Sequence, residues 1–504
     1  MTVRKAWGQR RFPVWTFPTA LLFVIWIIGP ARFNGYSGDD YHYLAAARCV
    51  ADHFWCVPTD HWARRAPLVV PVAVSIRLLG LSQTSLWIIP AIYAIAALAL
   101  FASLVRRLFG FWPAIIGSAA LILTPAFAEL TPTLGIDVAE FLFLVLAALA
   151  LERSWATKKI GWSVVFGIAA ALAVMCRPTA LAALPIFGIA HLGLRLGPRA
   201  IAAAAASFLL VLAGEACVYL FLSGDPLLTW KLSLRHTAIE SAHLTGVDIR
   251  QSPILNIDFI RAWKPAAGID APWPMKGLVN LAAHPDVFLT VYWAVALGFL
   301  AAIRRRIADE QAHLILWLLA GSAVYFVTLV FVLAIDPQPR MFIALMAILC
   351  AILGVCIAAL SNGAFLVLGV IAVGTIAFRG LTAPFDRLDF GPINAHAMAT
   401  ERASGMRIPI HPVTARGMAL EPGVDQLPID HGTARRLLVV GLGGCDAMRA
   451  WAGLTGWTVA QEFEMPHAVP RAIAWLRREH LFVTQVQDPT LCVFSAPRHR
   501  VSVP

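Results

Sequence analysis

Two adjacent carboxylates, Asp39 and Asp40, stand in the stretch NGYSGDDYHYL at residues 34–44, flanked by Tyr41, His42 and Tyr43. A carboxylate can take the proton of a hydroxyl as that hydroxyl attacks an electrophile, so the pair suits general-base chemistry. An apolar stretch ends at Ala31, and even a fully extended chain at roughly 3.4 Å per residue keeps Asp39 within about 27 Å of that end. A third acid, Asp137, lies in TPTLGIDVAEF at 131–141. Arg340 in IDPQPRMF and Arg177 in CRPT are the cations best suited to meet an anion, because a guanidinium matches phosphate with two parallel donors. Arg64, Arg65, Lys231 and Arg235 are weaker candidates of the same kind. Each has a plainer reading: Asp137 as a charge complementing a helix N-terminus, the arginines as side chains reaching for lipid headgroups.

Metal chemistry has less to stand on. His42, His53 and His61 could join Asp39 or Asp40 around a divalent cation, but their spacing follows no established ligand pattern. The chain has eight cysteines and no C-x-x-C pair, which argues against a zinc site built on them. Cys176, Cys217, Cys350 and Cys356 fall in or beside apolar runs and read as small buried side chains. Cys49 with Cys56, and Cys445 with Cys492, are candidate disulfides if their segments lie outside the cytoplasm.

The elements that position these residues are membrane spans. Of 504 residues 59% are hydrophobic and only 14% charged, and the mean hydropathy is +0.73, against about a quarter charged in soluble domains. The net charge of +11 is gathered in short clusters between apolar runs, as topology determinants are, so nucleic acid is not expected as a partner. A span needs about 20 mostly apolar residues. Runs at 12–31, 78–105, 108–128, 138–151, 160–176, 178–194, 200–224, 287–303 and 311–335 meet this, two of them interrupted by Glu140 and Glu215. The stretch 341–378 is long enough for two helices, broken at Ser361, Asn362 and Gly363. The sum is about eleven crossings. No cleavage site follows the basic residues 1–11, so the first run is expected to remain as a span.

With the N-terminus inside, the clusters at Arg106–Arg107, Arg153–Lys159, Arg195–Arg199 and Arg304–Arg306 all fall on the cytoplasmic side. The loops 32–77 and 225–286 and the terminal 379–504 then face outward, together with Asp39, Asp40, Asp137 and Arg340. The scheme requires PLVVPVAVSIRLLG, 67–80, with its Arg77, to be a re-entrant or interfacial helix rather than a crossing. A second interfacial helix is expected over 229–244. Beyond 379, strand-like runs at 435–444 and 490–495 with a helical candidate at 471–480 predict a small α/β domain. Gly441, Gly443 and Gly444 there read as a strand-ending turn, because the dinucleotide fingerprint is incomplete.

A first span, then an outer acidic pair in GDDYHYLAAA, then a segment opening APLVVP and closing RLLG, resembles the GT-C glycosyltransferase superfamily. It is most similar to the branch holding the protein mannosyltransferases and the lipid A aminoarabinose transferase. Asp137 matches that branch's acid before the fourth span, and Arg340 its arginine before a late span, although Met341 and Phe342 follow where the branch often has Tyr. The resemblance covers 15–195 well, 225–360 loosely and the terminal domain hardly at all. It implies an all-α polytopic membrane protein with a catalytic module over 1–378 and an extracytoplasmic α/β domain over 379–504, in a bacterial inner membrane. It also implies a sugar donor linked to a polyprenyl phosphate, and a glycan, lipid or protein acceptor. Asp39 would be the base; Asp40, Asp137 and His42 would orient base or acceptor; Arg340, Arg177, Lys231, Arg235 and Arg64 would hold the donor phosphate. No cofactor follows from the resemblance with certainty, and a divalent metal stays open.

A lipid or solute transporter is the competing class, since Glu140 and Glu215 inside spans suit substrate pathways too. Against it, the sequence shows no inverted repeat and no matched pair of Gly/Pro-broken helices. A membrane scaffold would account for the terminal domain but leave the acid pair without a task.

Overall fold

The computed structural model describes residues 15–28, 39–234 and 272–382, with short gaps inside them, and within 436–495 three strands and a few turn residues. It is predominantly helical. The helices in chain order are α1 (Thr16–Ile28), α2 (Asp39–His53), α3 (Ala66–Leu79), α4 (Gln83–Phe109), α5 (Phe111–Leu123), α6 (Pro125–Leu130), α7 (Ile136–Thr157) and α8 (Ile160–Cys176). There follow α9 (Pro198–Ser223), α10 (Leu228–Leu234), α11 (Lys276–Ala283), α12 (Phe288–Ile303), α13 (Asp309–Val327), α14 (Ile343–Ala359) and α15 (Ala364–Thr382).

Among the described residues four helical stretches are long and apolar enough to cross a membrane: Thr84–Phe109, Pro198–Ser223, Asp309–Phe331 and Arg340–Ala359. Shorter apolar helices, including α3, α5 and α8, pack beside them. The chain is a multi-pass membrane protein. Hydrophobicity on all sides suits such helices, since lipid and neighbouring helices are equally apolar. The core is built from α4, α5, α7, α12, α13 and α14 around buried Leu98, Leu121, Phe127, Phe342 and Leu353.

Helix boundaries follow local chemistry. Ser82 caps α4 through a reciprocal box with Ser85, which satisfies amides that would otherwise lack acceptors. The expected run 108–128 ends early, because Thr124 turns extended before Pro125 and α6 starts anew. The expected run 178–194 begins as a 3-10 helix, Pro178–Ala183, rather than as an α-helix. The chain turns there with Arg177 extended at the end of α8, a conformation favoured for a residue preceding proline. Where 341–378 was expected to break, α14 ends at Ala359 and α15 starts at Ala364.

Helix α3 has 14 residues, about 21 Å at 1.5 Å per residue, well short of the roughly 30 Å hydrocarbon core. Its face of Leu68, Val69, Val72, Ala73 and Ile76 is buried against α2 and α4, while Val74, Leu78 and Leu79 are exposed. Arg77 is accommodated because its Nε donates to the Ala51 carbonyl at 2.5 Å, near the C-terminal end of α2. The second expected interfacial helix is seen only as α10; residues 235–244 lie outside the described residues.

The terminal region holds three strands, β1 (Arg436–Leu442), β2 (Thr458–Glu464) and β3 (Pro489–Ser495), in the order β1-β3-β2 with both pairings antiparallel. β1 and β3 are the two expected strands; β2 went unread because alternation over the seven residues TVAQEFE is a weak signal by itself. The helical candidate at 471–480 and the turn residues Gly443 and Gly444 lie outside the described residues. Cys445 and Cys492 are bonded, with Cα atoms 5.7 Å apart, beside buried Phe494 and Leu454.

Candidate active site

Helices α7 and α8 run antiparallel through a short turn at Lys158 and Lys159, so the C-terminal end of α8 meets the N-terminal end of α7. Asp137 lies in the first turn of α7, where a negative charge complements the helix dipole. Glu140, three residues on, shares its face. Arg177, at the end of α8, donates from Nη1 to Asp137 Oδ1 at 2.6 Å and lies 3.8 Å from Glu140 Oε2. Thr179 Oγ1 donates to Glu140 Oε1 at 3.2 Å. All three charged side chains are buried.

A small cavity opens beside this cluster, lined by Asp137, Glu140, Phe141, Leu144, Tyr325, Arg340 and Met341 among others. Tyr325 comes from α13, and Arg340 and Met341 from a 3-10 turn, Pro339–Phe342, that leads into α14. Two residues 203 positions apart in sequence, Asp137 and Arg340, therefore face one space. Arg340 is half-buried.

The described residues of the first loop are not among those that line the cavity. In α2, Tyr43, Leu44, Ala47 and Ala51 are buried against α3. At 100° per residue Asp40 falls on that same face. Asp40 is half-buried; the side chain of Asp39 lies outside the described residues. His42 stacks on Trp62 with ring centroids 4.0 Å apart, and His61 packs against the same indole at 3.7 Å. Arg65 donates to the Tyr43 hydroxyl. These contacts fasten the segment before α3 onto the helix that opens with the acid pair.

The remaining candidates separate. Arg64 is buried, and removal from water lowers the pKa of its guanidinium, opposed by Glu215 nearby. Lys231 is exposed and bonded to Asp225 at 2.7 Å; neither lines the cavity. The same contact holds the Asp225 carboxyl below its ordinary range. Arg235 lies outside the described residues. His53 stands with Cys49 and Cys56, not with His42 and His61: their ligand atoms lie within 4.8 Å of one another, and the two sulfurs are bonded. Sequence reasoning singled out Asp137, Arg177 and Arg340 separately but missed that Arg177 closes on Asp137. It also missed Thr179 and Tyr325. The three-residue spacing of Asp137 and Glu140 was the available signal, since it sets both acids on one helix face.

Residues 67–221 match the family model of the dolichyl-phosphate-mannose-protein mannosyltransferases. The resemblance to the GT-C glycosyltransferases therefore holds. The matched segment contains Asp137, Glu140 and Arg177. Among solved structures, the chain is similar to the oligosaccharyltransferase of Archaeoglobus fulgidus in its apo form, at 14% identity and a TM-score of 0.47, covering 75% of this chain and 57% of that one. It is also similar to ArnT from Cupriavidus metallidurans bound to undecaprenyl phosphate, at 11% identity and a TM-score of 0.47, covering 94% and 97%. The chain thus spans little more than half of the archaeal enzyme. Among curated proteins none matches it.

Proposed function

We propose that the chain is a membrane glycosyltransferase that moves a sugar from a polyprenyl-phosphate donor to an acceptor hydroxyl, with inversion, on the membrane face opposite the N-terminus. The observation that carries this reading is the cavity shared by Asp137 and Arg340, set on a helix inside the segment that matches the mannosyltransferase family. In the proposed reaction the acceptor oxygen bonds to the anomeric carbon as the bond from that carbon to the phosphate oxygen breaks. The acceptor proton passes to the Asp39 carboxylate, and the polyprenyl phosphate departs. A phosphate leaving group needs little general acid; it needs cations where its charge develops. Arg340 takes that role at the rim, with Arg64 and Arg177 behind it, and Arg235 and exposed Lys231 as outlying candidates. Asp137, held by Arg177, orients the acceptor, with Asp40 and His42 on the same helix as the base.

The reading carries the eleven-span topology with it, with 1–378 as the catalytic module and 379–504 as an extracytoplasmic domain. Two disulfides, Cys49–Cys56 and Cys445–Cys492, support the outer placement of both segments, because such bonds persist in oxidising compartments. The test is to incubate purified protein with polyprenyl phosphates carrying labelled sugars. Release of polyprenyl phosphate coupled to transfer of label supports the reading; no release from any donor across a broad panel contradicts it.

A further inference from the structure

A second polar locus lies near the cavity, and of its residues only Arg64 has a part in the reaction as set out above. Glu215 and Tyr219 stand one helical turn apart on α9, 8% and 3% exposed, and Arg64, 3% exposed, reaches them from the segment between α2 and α3. Glu215 precedes the end of α9 by about 12 Å at 1.5 Å per residue, within the depth of a membrane. Elsewhere the helix presents Leu209, Leu210 and Phe221 outward. An acid at that depth carries a large solvation cost unless something meets it.

Arg64 Nε and Glu215 Oε1 are both buried and neither has a hydrogen-bond partner. The two groups feel each other's charge without closing into a direct bond. Leaving both unmet costs free energy that a bridging group would recover. Such a group must accept from a guanidinium and donate to a carboxylate. A hydroxyl does both; a phosphate only accepts, and Glu215 repels it. The locus neighbours the Arg177–Glu140 cluster, since Cys176 at the end of α8 lies within electrostatic reach of Arg64 and also of Arg177 and Glu140.

We propose that Glu215, with Tyr219 and Arg64, recognises a hydroxyl of the sugar carried by the lipid-linked donor, and so is a specificity determinant. This rests on the glycosyltransferase reading. The experiment measures binding of bare polyprenyl phosphate, and of polyprenyl phosphates carrying mannose, glucose, galactose or aminoarabinose, to the full chain in lipid nanodiscs. Wild type should bind at least one sugar-bearing lipid more tightly than the bare one. Glu215→Gln should weaken that lipid by about 10- to 100-fold, the range for a hydrogen bond to a charged group, while bare polyprenyl phosphate binds within about two-fold of wild type. Tyr219→Phe should shift the same preference in the same direction, and serves if Glu215→Gln fails to fold. Equal loss for bare and sugar-bearing lipid, or no loss, overturns the inference and leaves the glycosyltransferase reading standing. Failure of wild type to bind any polyprenyl phosphate overturns both.

Discussion

Arg177 Nη1 lies 2.6 Å from Asp137 Oδ1, with both side chains almost wholly buried. A cation drawn into an apolar bundle at the meeting of two helix ends fixes the carboxylate it touches. Removing one partner leaves the other charge without compensation, at a cost of about 3–5 kcal/mol. Arg177→Gln should therefore lower the unfolding free energy in detergent by about that amount. Arg177→Gln combined with Asp137→Asn should recover part of the loss, and a strictly additive double variant would show that the pair is not coupled.

Helices α5 and α14 cross so closely that glycine is required. A Cβ at Gly354 would lie 2.4 Å from the Pro113 carbonyl oxygen, and one at Gly117 would lie 2.9 Å from that of Cys350. Gly354→Ala should cost about 1–3 kcal/mol through overpacking, whereas Gly374→Ala, with nothing within 4 Å, should be close to neutral. Thermal unfolding of the two variants side by side checks this; equal effects would argue against the crossing.

Four cysteines are bonded and four are free. Alkylation of unfolded protein should label four thiols before reduction and eight after. The Cys445–Cys492 bond closes 47 residues of chain, for which loop-closure entropy gives about 4 kcal/mol. The Cys445→Ser, Cys492→Ser variant should lose protection of the strands from proteolysis while the helical part keeps its melting behaviour.

The phosphate-facing cations differ in exposure and partner. Arg340→Gln should raise the donor KM by about 10- to 100-fold, as loss of a charge-assisted contact does. Lys231→Gln should change it less than about three-fold, because an exposed ion pair contributes little. The reverse ranking in steady-state kinetics would move the phosphate site to α10.

The helical elements were legible because an apolar run of span length has few alternatives, and the break at 361–363 announced itself through Ser, Asn and Gly. Strand β2 was not, because its alternation over seven residues is a weak signal. At the site, the types and helix-end positions of Asp137, Arg177 and Arg340 marked them as candidates. Which of them touch depends on how α7, α8 and the turn before α14 pack, and no spacing encodes that. Arg177 was read as a phosphate ligand from its place at a turn; it is first a partner of Asp137 and Glu140.

In the proposed reaction Asp39 takes the acceptor's proton during glycosyl transfer from a polyprenyl-phosphate sugar. This proton transfer is tested most directly by comparing wild type with Asp39→Asn, measuring transfer of labelled sugar and binding of the same donor on one preparation. Asp39→Asn should bind the donor within about two-fold of wild type and lose at least about 100-fold in turnover, the lower end of what a general base supplies. Full turnover by Asp39→Asn would contradict it.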